Sequence, residues 1–351
     1  MARDFERSLS GDVHLPALVS ELRPSRIFIV TEESLSKQFG AAFQEFLGSA
    51  VDCPLELITF PGGEKGKHLD SLGPVFNRLI DGGVDRRSLL MALGGGVVGD
   101  FAGFVAATIL RGIPFVQIPT TLLSMVDSSV GGKVAVNTGK GKNMVGAFYH
   151  PSAVWCNLGS LQSLPDDEWA CGLAEMAKHA MLESSGQVRQ RLMDSANSIK
   201  EPETLAPRIL ESMSVKAFVV ARDEKESGLR ACLNLGHTTA HGIESLSDYS
   251  RFSHGQAVSR GLVTALLLSG YHGFSRDELQ KNLVLMEQLN LPMDTAGFES
   301  EQLWQHMKFD KKNVGGEIRF VLMTENGLEL SVPVQESEFE KAWKEQKERY
   351  G

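Results

Sequence analysis

Residues 89–110, LLMALGGGVVGDFAGFVAATIL, constrain the fold more than any other stretch: an apolar run of strand length ends in three glycines and leads straight into an apolar helical segment. A strand with no polar residue, followed directly by a helix, is the unit from which parallel sheets with helices on both faces are built. Gly94, Gly96 and Gly99 fit G-x-G-x-x-G, a spacing in which glycines let the backbone approach a pyrophosphate and the helix start favours its charge. The same glycines would also serve a close fit of helix to sheet with no ligand at all. No acidic residue stands ~20 positions further on, where a standard dinucleotide fold carries its ribose carboxylate.

The flanking sequence extends the pattern. RIFIVT (26–31), LELITF (55–60), SLLMALGGG (88–96) and PFVQIPTT (114–121) read as short strands, with helical segments such as SLSKQFGAAFQEFLG and HLDSLGPVFNRLID between them. From about Pro165 the periodicity becomes helical: PDDEWACGLAEMAKHAMLE, LAPRILESMSVKAFVVARDE, GHTTAHGIESL and AVSRGLVTALLLSGY, with EIRFVLM (317–323) as a late strand. At 351 residues the chain exceeds the ~100–200 of one ordinary domain. The expected architecture is an α/β nucleotide-binding domain over residues 1–165, with a Rossmann-like parallel sheet, and a mainly α-helical domain over 166–351.

Charge narrows the partners. The net charge is −9, and no stretch concentrates Lys and Arg among aromatics, so nucleic acid and anionic membranes are not expected partners. MARDFERSLSGD is too charged for a signal peptide, and runs such as LVTALLL fall short of the ~20 residues a membrane span needs. A cytoplasmic enzyme is expected. Cys53, Cys156, Cys171 and Cys232 form no C-x-x-C pair, which argues against a disulfide framework and a thiolate zinc site.

Two further loops follow strands, PGGEKGKHL (61–69) and PTTLLSMVDSSVGGK (119–133). In open parallel sheets the ligand crevice lies beyond the carboxyl ends of the strands, where such loops converge. In the second half, LNLGHTTAHGIES holds His237 and His241, four apart on one helical face, and RFSHG supplies His254. Spacing alone favours His237 with His241 on one ion, the third ligand coming from His254 or from Glu175 of GLAEMAKH. Two imidazoles, one carboxylate and an open fourth position make a catalytic zinc arrangement. An isolated histidine, however, more often packs or caps than ligates.

Taken together, GGGVVGDFAGF, PTTLLSMVDSSVGGK, GKN, GLAEMAKH, ARDEKESGLRACLNLGHTTAHGIE and HGQAV resemble the 3-dehydroquinate synthase family, in order and at similar spacing, from about residue 25 to 325. The resemblance implies a dehydroquinate synthase-like fold, one NAD and one zinc (or cobalt) per chain, and a homodimer. It also implies a different metal set from the one spacing favours: Glu175, His237 and His254, with His241 facing the substrate.

By the same resemblance, the NAD positions are Glu32, then Gly62, Gly63, Glu64, Lys65, Gly66 and Lys67, then Gly95, Gly96, Val97, Val98, Gly99 and Asp100. They continue with Thr120, Thr121, Leu123 and Asp127, and with Ser160, Leu161, Gln162 and Ser163; Lys133 and Lys142 lie near both nicotinamide and substrate. The implied catalytic and substrate residues are Arg111, Lys133, Lys142, Asn143, Lys178, Lys216, Arg230, Asn234, His241 and a lysine of FDKKN, Lys311 or Lys312. One lysine alone is ordinarily just solvated, but a substrate carrying both phosphate and carboxylate needs several fixed cations.

The implied reaction converts 3-deoxy-D-arabino-heptulosonate 7-phosphate to 3-dehydroquinate and phosphate. Another sugar phosphate cyclase and a metal-dependent NAD polyol dehydrogenase are the alternatives. Gly62, Ser163 and Gln256 depart from the family's usual Asp, Thr and Glu, and HTTAHG departs from its HTFGHA; these changes are expected to tune the site without changing the reaction.

Overall fold

The computed structural model describes Asp12 and residues 14–247, 251–308 and 317–351. The chain forms two compact units, Met1–Leu164 and Pro165–Gly351. Among the described residues no helix is long and apolar enough to cross a membrane.

The strands are β1 (Ile27–Glu32), β2 (Leu55–Phe60), β3 (Leu89–Gly94), β4 (Phe115–Pro119), β5 (Lys133–Thr138), β6 (Gly141–Phe148), β7 (Ala153–Val154), β8 (Arg319–Thr324) and β9 (Gly327–Pro333). In the first unit a five-stranded sheet runs β2-β1-β3-β4-β7 with every pair parallel. Side chains alternate across a strand, so a sheet covered on both faces needs apolar residues at successive positions. β3 is buried throughout. Leu90 and Ala92 enter one core with Phe28 and Val30, while Leu89, Met91 and Leu93 enter the opposite core with Ile27 and Ile29.

Helix α1 (Gly96–Thr108) covers the first of these faces through Val98, Phe101, Ala102 and Val105. The Phe101 ring stacks on Phe60 with centroids 4.1 Å apart. Burying such a ring contributes ~1.5–3 kcal/mol. The order places β1 and β3 side by side while the chain departs from them in opposite directions, so the turn after β3 opens at the topological switch point of the sheet.

Sequence periodicity found β1 to β4 to within a residue or two, but β5 and β6 fall in residues 133–148, where three glycines and three lysines break up the apolar positions. They form a separate antiparallel hairpin on α1, where Val134 Cγ1 lies 2.4 Å from the position a Cβ on Gly103 would occupy.

The second unit is helical. Helix α2 (Asp166–Leu182), α3 (Pro202–Arg222), α4 (His237–Leu246) and α5 (His254–Tyr271) carry the candidate site. α5 is buried around almost its whole circumference, from Gly255 to Ser269 apart from Gln256, and is therefore a core helix. β8 and β9 pair antiparallel; β8 is the expected late strand, and β9, starting at Gly327, was not foreseen.

Candidate functional site

In the first unit the candidate residues gather at the carboxyl ends of β1 to β4. Gly94 and Gly99 are explained by packing: a Cβ would stand 2.4 Å from Val98 Cγ2 at the first and 2.7 Å from Gln117 Oε1 at the second. Gly95 and Gly96 instead face Thr121 and Ser128, at 3.2 and 3.0 Å from their would-be Cβ atoms. Gly95 is the N-cap of α1, and no side chain caps that turn. The first amides of a helix have no intrahelical acceptor, so this turn offers N–H donors to an anion. Val97 and Val98 continue the turn into α1.

The loop after β2 is tied into the same edge. Gly63 adopts φ +70°, and a Cβ on Gly66 would lie 1.4 Å from the Pro61 carbonyl oxygen, so glycine is required at both positions. Lys67 is buried and donates to Asp100 Oδ2 on α1 at 2.8 Å. Glu32 at the end of β1 accepts from the Gly63 amide at 3.0 Å and from Ser34 Oγ at 2.7 Å. Its carboxylate thus sits beside the 62–67 loop, and Gly62 leaves room for it, since a Cβ there would be 2.4 Å from Glu32 Oε2. Lys65 lies in the short helical turn Gly63–Gly66.

Asn137 was not singled out from sequence, yet it joins two candidates, Glu64 and Asn143. Its Nδ2 donates to the backbone oxygen and to Oε2 of Glu64, both at 2.9 Å, and its Oδ1 accepts from the Asn143 amide at 2.9 Å. Lys142 Nζ stands 3.8 Å from the same Glu64 Oε2, and Asn143 has φ +53°. Lys133 opens β5. Thr120 is buried after β4, and Thr121 Oγ1 accepts from the Ser124 amide at 3.1 Å, starting the turn that holds Leu123 and Asp127. Ser160, Leu161, Gln162 and Ser163 form a short 3-10 helix in which Ser163 Oγ accepts from Gln38 Nε2 at 2.9 Å. Arg111 lies apart from these contacts, exposed in a left-handed turn at φ +68°.

In the second unit α2 carries Cys171, Glu175 and Lys178 at i, i+4 and i+7, on one face. α5 begins one turn before Glu175 because Gly255 lies against the α2 backbone: a Cβ there would be 2.1 Å from Cys171 Cα. Ser253 caps α5 in a reciprocal box with Gln256 and accepts from the Cys171 thiol at 3.0 Å, which sets His254 as the first helical residue. α4 is held in the same way. A Cβ on Gly261 of α5 would be 2.1 Å from the Gly236 carbonyl oxygen, and Gly236 itself takes φ +78° just before His237.

These three close approaches bring Glu175, His237 and His254 together, with one ligand atom of each within 4.8 Å of the others. His237 Nε2 is 3.8 Å and His254 Nε2 3.9 Å from Glu175 Oε1. Ligands at about 2.0–2.1 Å from one tetrahedral ion are ~3.3–3.5 Å apart, so the set is a few tenths of an ångström wider than a closed zinc shell. Glu175 is fully buried; Lys178 Nζ is in ion contact with Oε2, yet neither carboxylate oxygen receives a directed hydrogen bond. A buried carboxylate left so is costly, and a divalent cation would satisfy it. The residues therefore fit a metal.

Burial, with the nearby Lys178 ammonium and the other two imidazoles, pushes His237 well below its ordinary pKa, so its ring is neutral. At His254 burial works in the same direction but is outweighed by the hydrogen bond and charge of Glu244 and by Glu175, and the pKa is raised. His241 stands one turn from His237 with rings perpendicular and centroids 5.7 Å apart; it is outside the converging set that spacing alone had assigned it to.

Arg230 lies in a tight loop organised by Asp223. Asp223 accepts from the amides of Ser227, Gly228 and Arg230, at 2.8, 2.7 and 2.9 Å, and from Ser227 Oγ. Those donors, the Arg230 amide first, hold its carboxyl down to about 2. Arg230 is buried and its Nη1 donates to the Glu224 carbonyl, while Asn234 Nδ2 donates to Glu226 Oε1 at 3.1 Å. Lys216 is buried on α3. Lys311 and Lys312 lie outside the described residues.

Sequence reasoning also missed Glu244, whose Oε1 is 3.1 Å from His254 Nδ1. Its signal was present, since Glu244 follows His237 by seven residues and so shares its helical face.

The chain matches the family models described as 3-dehydroquinate synthase N-terminal, over residues 57–171, and 3-dehydroquinate synthase C-terminal, over residues 172–313. It is 50% identical over 312 residues to a 3-dehydroquinate synthase of Leptospira interrogans, covering 88% of this chain and 85% of that one. Among solved structures, 2-deoxy-scyllo-inosose synthase complexed with carbaglucose-6-phosphate, NAD+ and Co2+ superposes with a TM-score of 0.84 at 24% identity, over 95% of each chain. ValA, a 2-epi-5-epi-valiolone synthase from Streptomyces hygroscopicus with NAD+ and Zn2+ bound, gives 0.82 at 24%, over 97% of this chain and 94% of that one. At that identity the two structures speak for the fold.

Proposed function

This chain belongs to the 3-dehydroquinate synthase family, and from that premise we propose how its residues divide the work. The reaction takes 3-deoxy-D-arabino-heptulosonate 7-phosphate to 3-dehydroquinate and phosphate. A hydroxyl is oxidised, phosphate is eliminated, the ketone is reduced again, and the opened ring closes by intramolecular aldol addition, with no net redox change. When bound, NAD supplies the transient hydride acceptor and a divalent metal supplies the Lewis acid. We read that metal as zinc, with cobalt as the alternative, because structural neighbours carry NAD+ with either ion.

Glu175, His237 and His254 hold the metal. The observation that carries this reading is the buried Glu175 carboxylate, facing two imidazole Nε2 atoms and lacking a directed hydrogen bond. The uncapped turn at Gly95 and Gly96 receives the NAD pyrophosphate, and the Lys67–Asp100 pair fixes the 62–67 loop beside it. Glu32 takes the adenosine hydroxyls in place of the absent distal carboxylate.

Lys178, Lys216 and Arg230 hold the substrate's anionic groups, with Arg230 suited to two-pronged contact. His241 and Asn234 orient hydroxyls and move protons between them and solvent. Lys133, Lys142, Asn143 and Arg111 of the first unit are further candidates for substrate contact, as is Lys311 or Lys312. We further take the working form to be a homodimer, which the exposed apolar residues Leu110, Met144, Val145 and Phe148 of the first unit support.

Native mass spectrometry of the purified chain and of His237→Ala tests the metal and the assembly at once. The expected result is a dimer with about one metal per chain, reduced to none in the variant. Phosphate release should be lost in parallel, with NADH absorbance flat in both proteins. Stoichiometric metal and full turnover in His237→Ala would overturn the ligand set, and a 38.3 kDa species alone would overturn the dimer.

A further inference from the structure

We propose that Glu244 is a positioning residue of the metal centre: its carboxylate accepts a hydrogen bond from the Nδ1–H of His254 and so fixes the tautomer and the ring rotation that turn Nε2 toward Glu175. The inference rests on the reading that Glu175, His237 and His254 hold a divalent ion.

Both imidazoles of the set are engaged in the same manner. His237 Nδ1 lies 3.2 Å from the Leu235 carbonyl oxygen with Nε2 toward Glu175, and His254 Nδ1 lies 3.1 Å from Glu244 Oε1 with Nε2 toward the same Glu175 oxygen. A carbonyl and an ionised carboxylate only accept hydrogen bonds, so each Nδ1 must be the donor. Each Nε2 lone pair is then left for the metal. The supports differ in kind. That of His237 is backbone and survives any substitution, whereas that of His254 is a side chain.

His254 needs such a support more than His237 does. Both ligands open their helices, His237 α4 and His254 α5, but the His254 side chain is the more exposed, 38% against 13%. A residue at a helix start has no preceding helical turn to restrict its rotamers. Glu244 reaches it from α4, two turns beyond His237, so one face of α4 supplies a ligand and the brace of a second ligand on another helix. Glu244 is itself buried at 9% exposure, a costly place for a carboxylate, and a negative charge behind an imidazole strengthens its bond to a cation.

The experiment uses full-length chain stripped of metal, with Zn2+ titrated against a chromophoric chelator. It compares wild type with Glu244→Met, which keeps length but no acceptor, Glu244→Gln, which keeps an acceptor but no charge, and His254→Ala. Zinc affinity should fall ~10–100-fold in Glu244→Met and by a smaller factor in Glu244→Gln. The visible absorption bands of the Co2+-loaded protein should shift in Glu244→Met, while the melting midpoint of apo Glu244→Gln stays at the wild-type value. A merely structural contact predicts the reverse, with lower apo midpoints and unchanged zinc affinity and cobalt bands, and would overturn the proposal. Unchanged zinc affinity in Glu244→Gln overturns it even if Glu244→Met fails to fold. His254→Ala separates the two layers: if it binds zinc like wild type, the metal-centre reading fails, and if only the Glu244 variants do, the centre stands and the brace falls.

Discussion

The glycine turn of the first unit and the imidazole cluster of the second both depend on glycine, in different ways. Around the turn after β3, most of the groups a Cβ would meet are side chains: Val98 at Gly94, Thr121 at Gly95, Ser128 at Gly96 and Gln117 at Gly99. Around the cluster, Gly255 meets the backbone of Cys171 and Gly261 the backbone of Gly236, both at 2.1 Å. A side chain can rotate away, but two helix backbones in contact can only separate. The turn therefore tolerates adjustment, while the metal centre depends on helix spacing.

The largest expected effect follows from that difference. Gly255→Ala should force α5 away from α2, move His254 from Glu175 and weaken zinc binding by ~100-fold or more, since an ångström of misplacement can cost that much at a constructed site. Gly96→Ala meets only the Ser128 side chain, nearest at Oγ, 3.0 Å, and should weaken NADH binding no more than several-fold, roughly 1 kcal/mol. Chelator competition reads the first and NADH fluorescence the second. Equal, mild effects would remove the distinction between the two kinds of glycine.

The same distinction governs what could be read from the sequence. β1 to β4 and the turn after β3 were legible because their signal is local: apolar runs of strand length, followed at β3 by the glycines of residues 94–99. The hairpin of β5 and β6 was not, because glycines and lysines interrupt its apolar positions and it gains order from packing on α1 and from Asn137. Spacing offered His237 with His241 because residues on one helix are all that spacing can see. Glu175 and His254 lie 79 positions apart, and their approach is decided by Gly255, whose role is invisible without its neighbour Cys171. The family resemblance supplied that information in place of local physics.

A middle-sized effect should come from Asp223, a third kind of support, which organises a loop through side chain to backbone hydrogen bonds and not through the missing Cβ of a glycine. Its folded pKa is depressed to about 2 from an ordinary 3.8 by the Arg230, Ser227 and Gly228 amides. A depressed carboxylate stabilises the fold above its unfolded pKa, and that contribution is lost as pH falls through the folded value. Asp223→Asn should therefore lower the urea midpoint at neutral pH, with the difference from wild type shrinking below about pH 4 and vanishing near pH 2. Because the loop carries Arg230, phosphate release should also fall, by roughly 10-fold. A stability difference that stays constant from pH 7 to 2 would show that the carboxylate charge has no part in holding the loop.

The smallest effect concerns Gln256, where the family resemblance implies a Glu. Gln256 is the third residue of α5: its Oε1 accepts from the Ser253 amide at 3.1 Å and its Nε2 donates to Asp167 Oδ1 at 2.9 Å. The amide suits both tasks at once. A Glu would keep the reciprocal cap and gain from the helix start, but it would meet Asp167 with like charge. For a pair near the surface the two contributions are of similar size, so Gln256→Glu should change stability by less than ~1 kcal/mol. The sign is decided by Asp167, which should make Asp167→Asn rescue the variant, since the amide it introduces could donate to the new carboxylate. A double-mutant cycle followed by thermal melting isolates this coupling, which should weaken in high salt. Zinc affinity should stay level throughout, because Gln256 braces the cap and not the ring of His254. A loss of zinc affinity in Gln256→Glu with unchanged melting would mean that the start of α5, like its glycine, sets the metal centre through position alone.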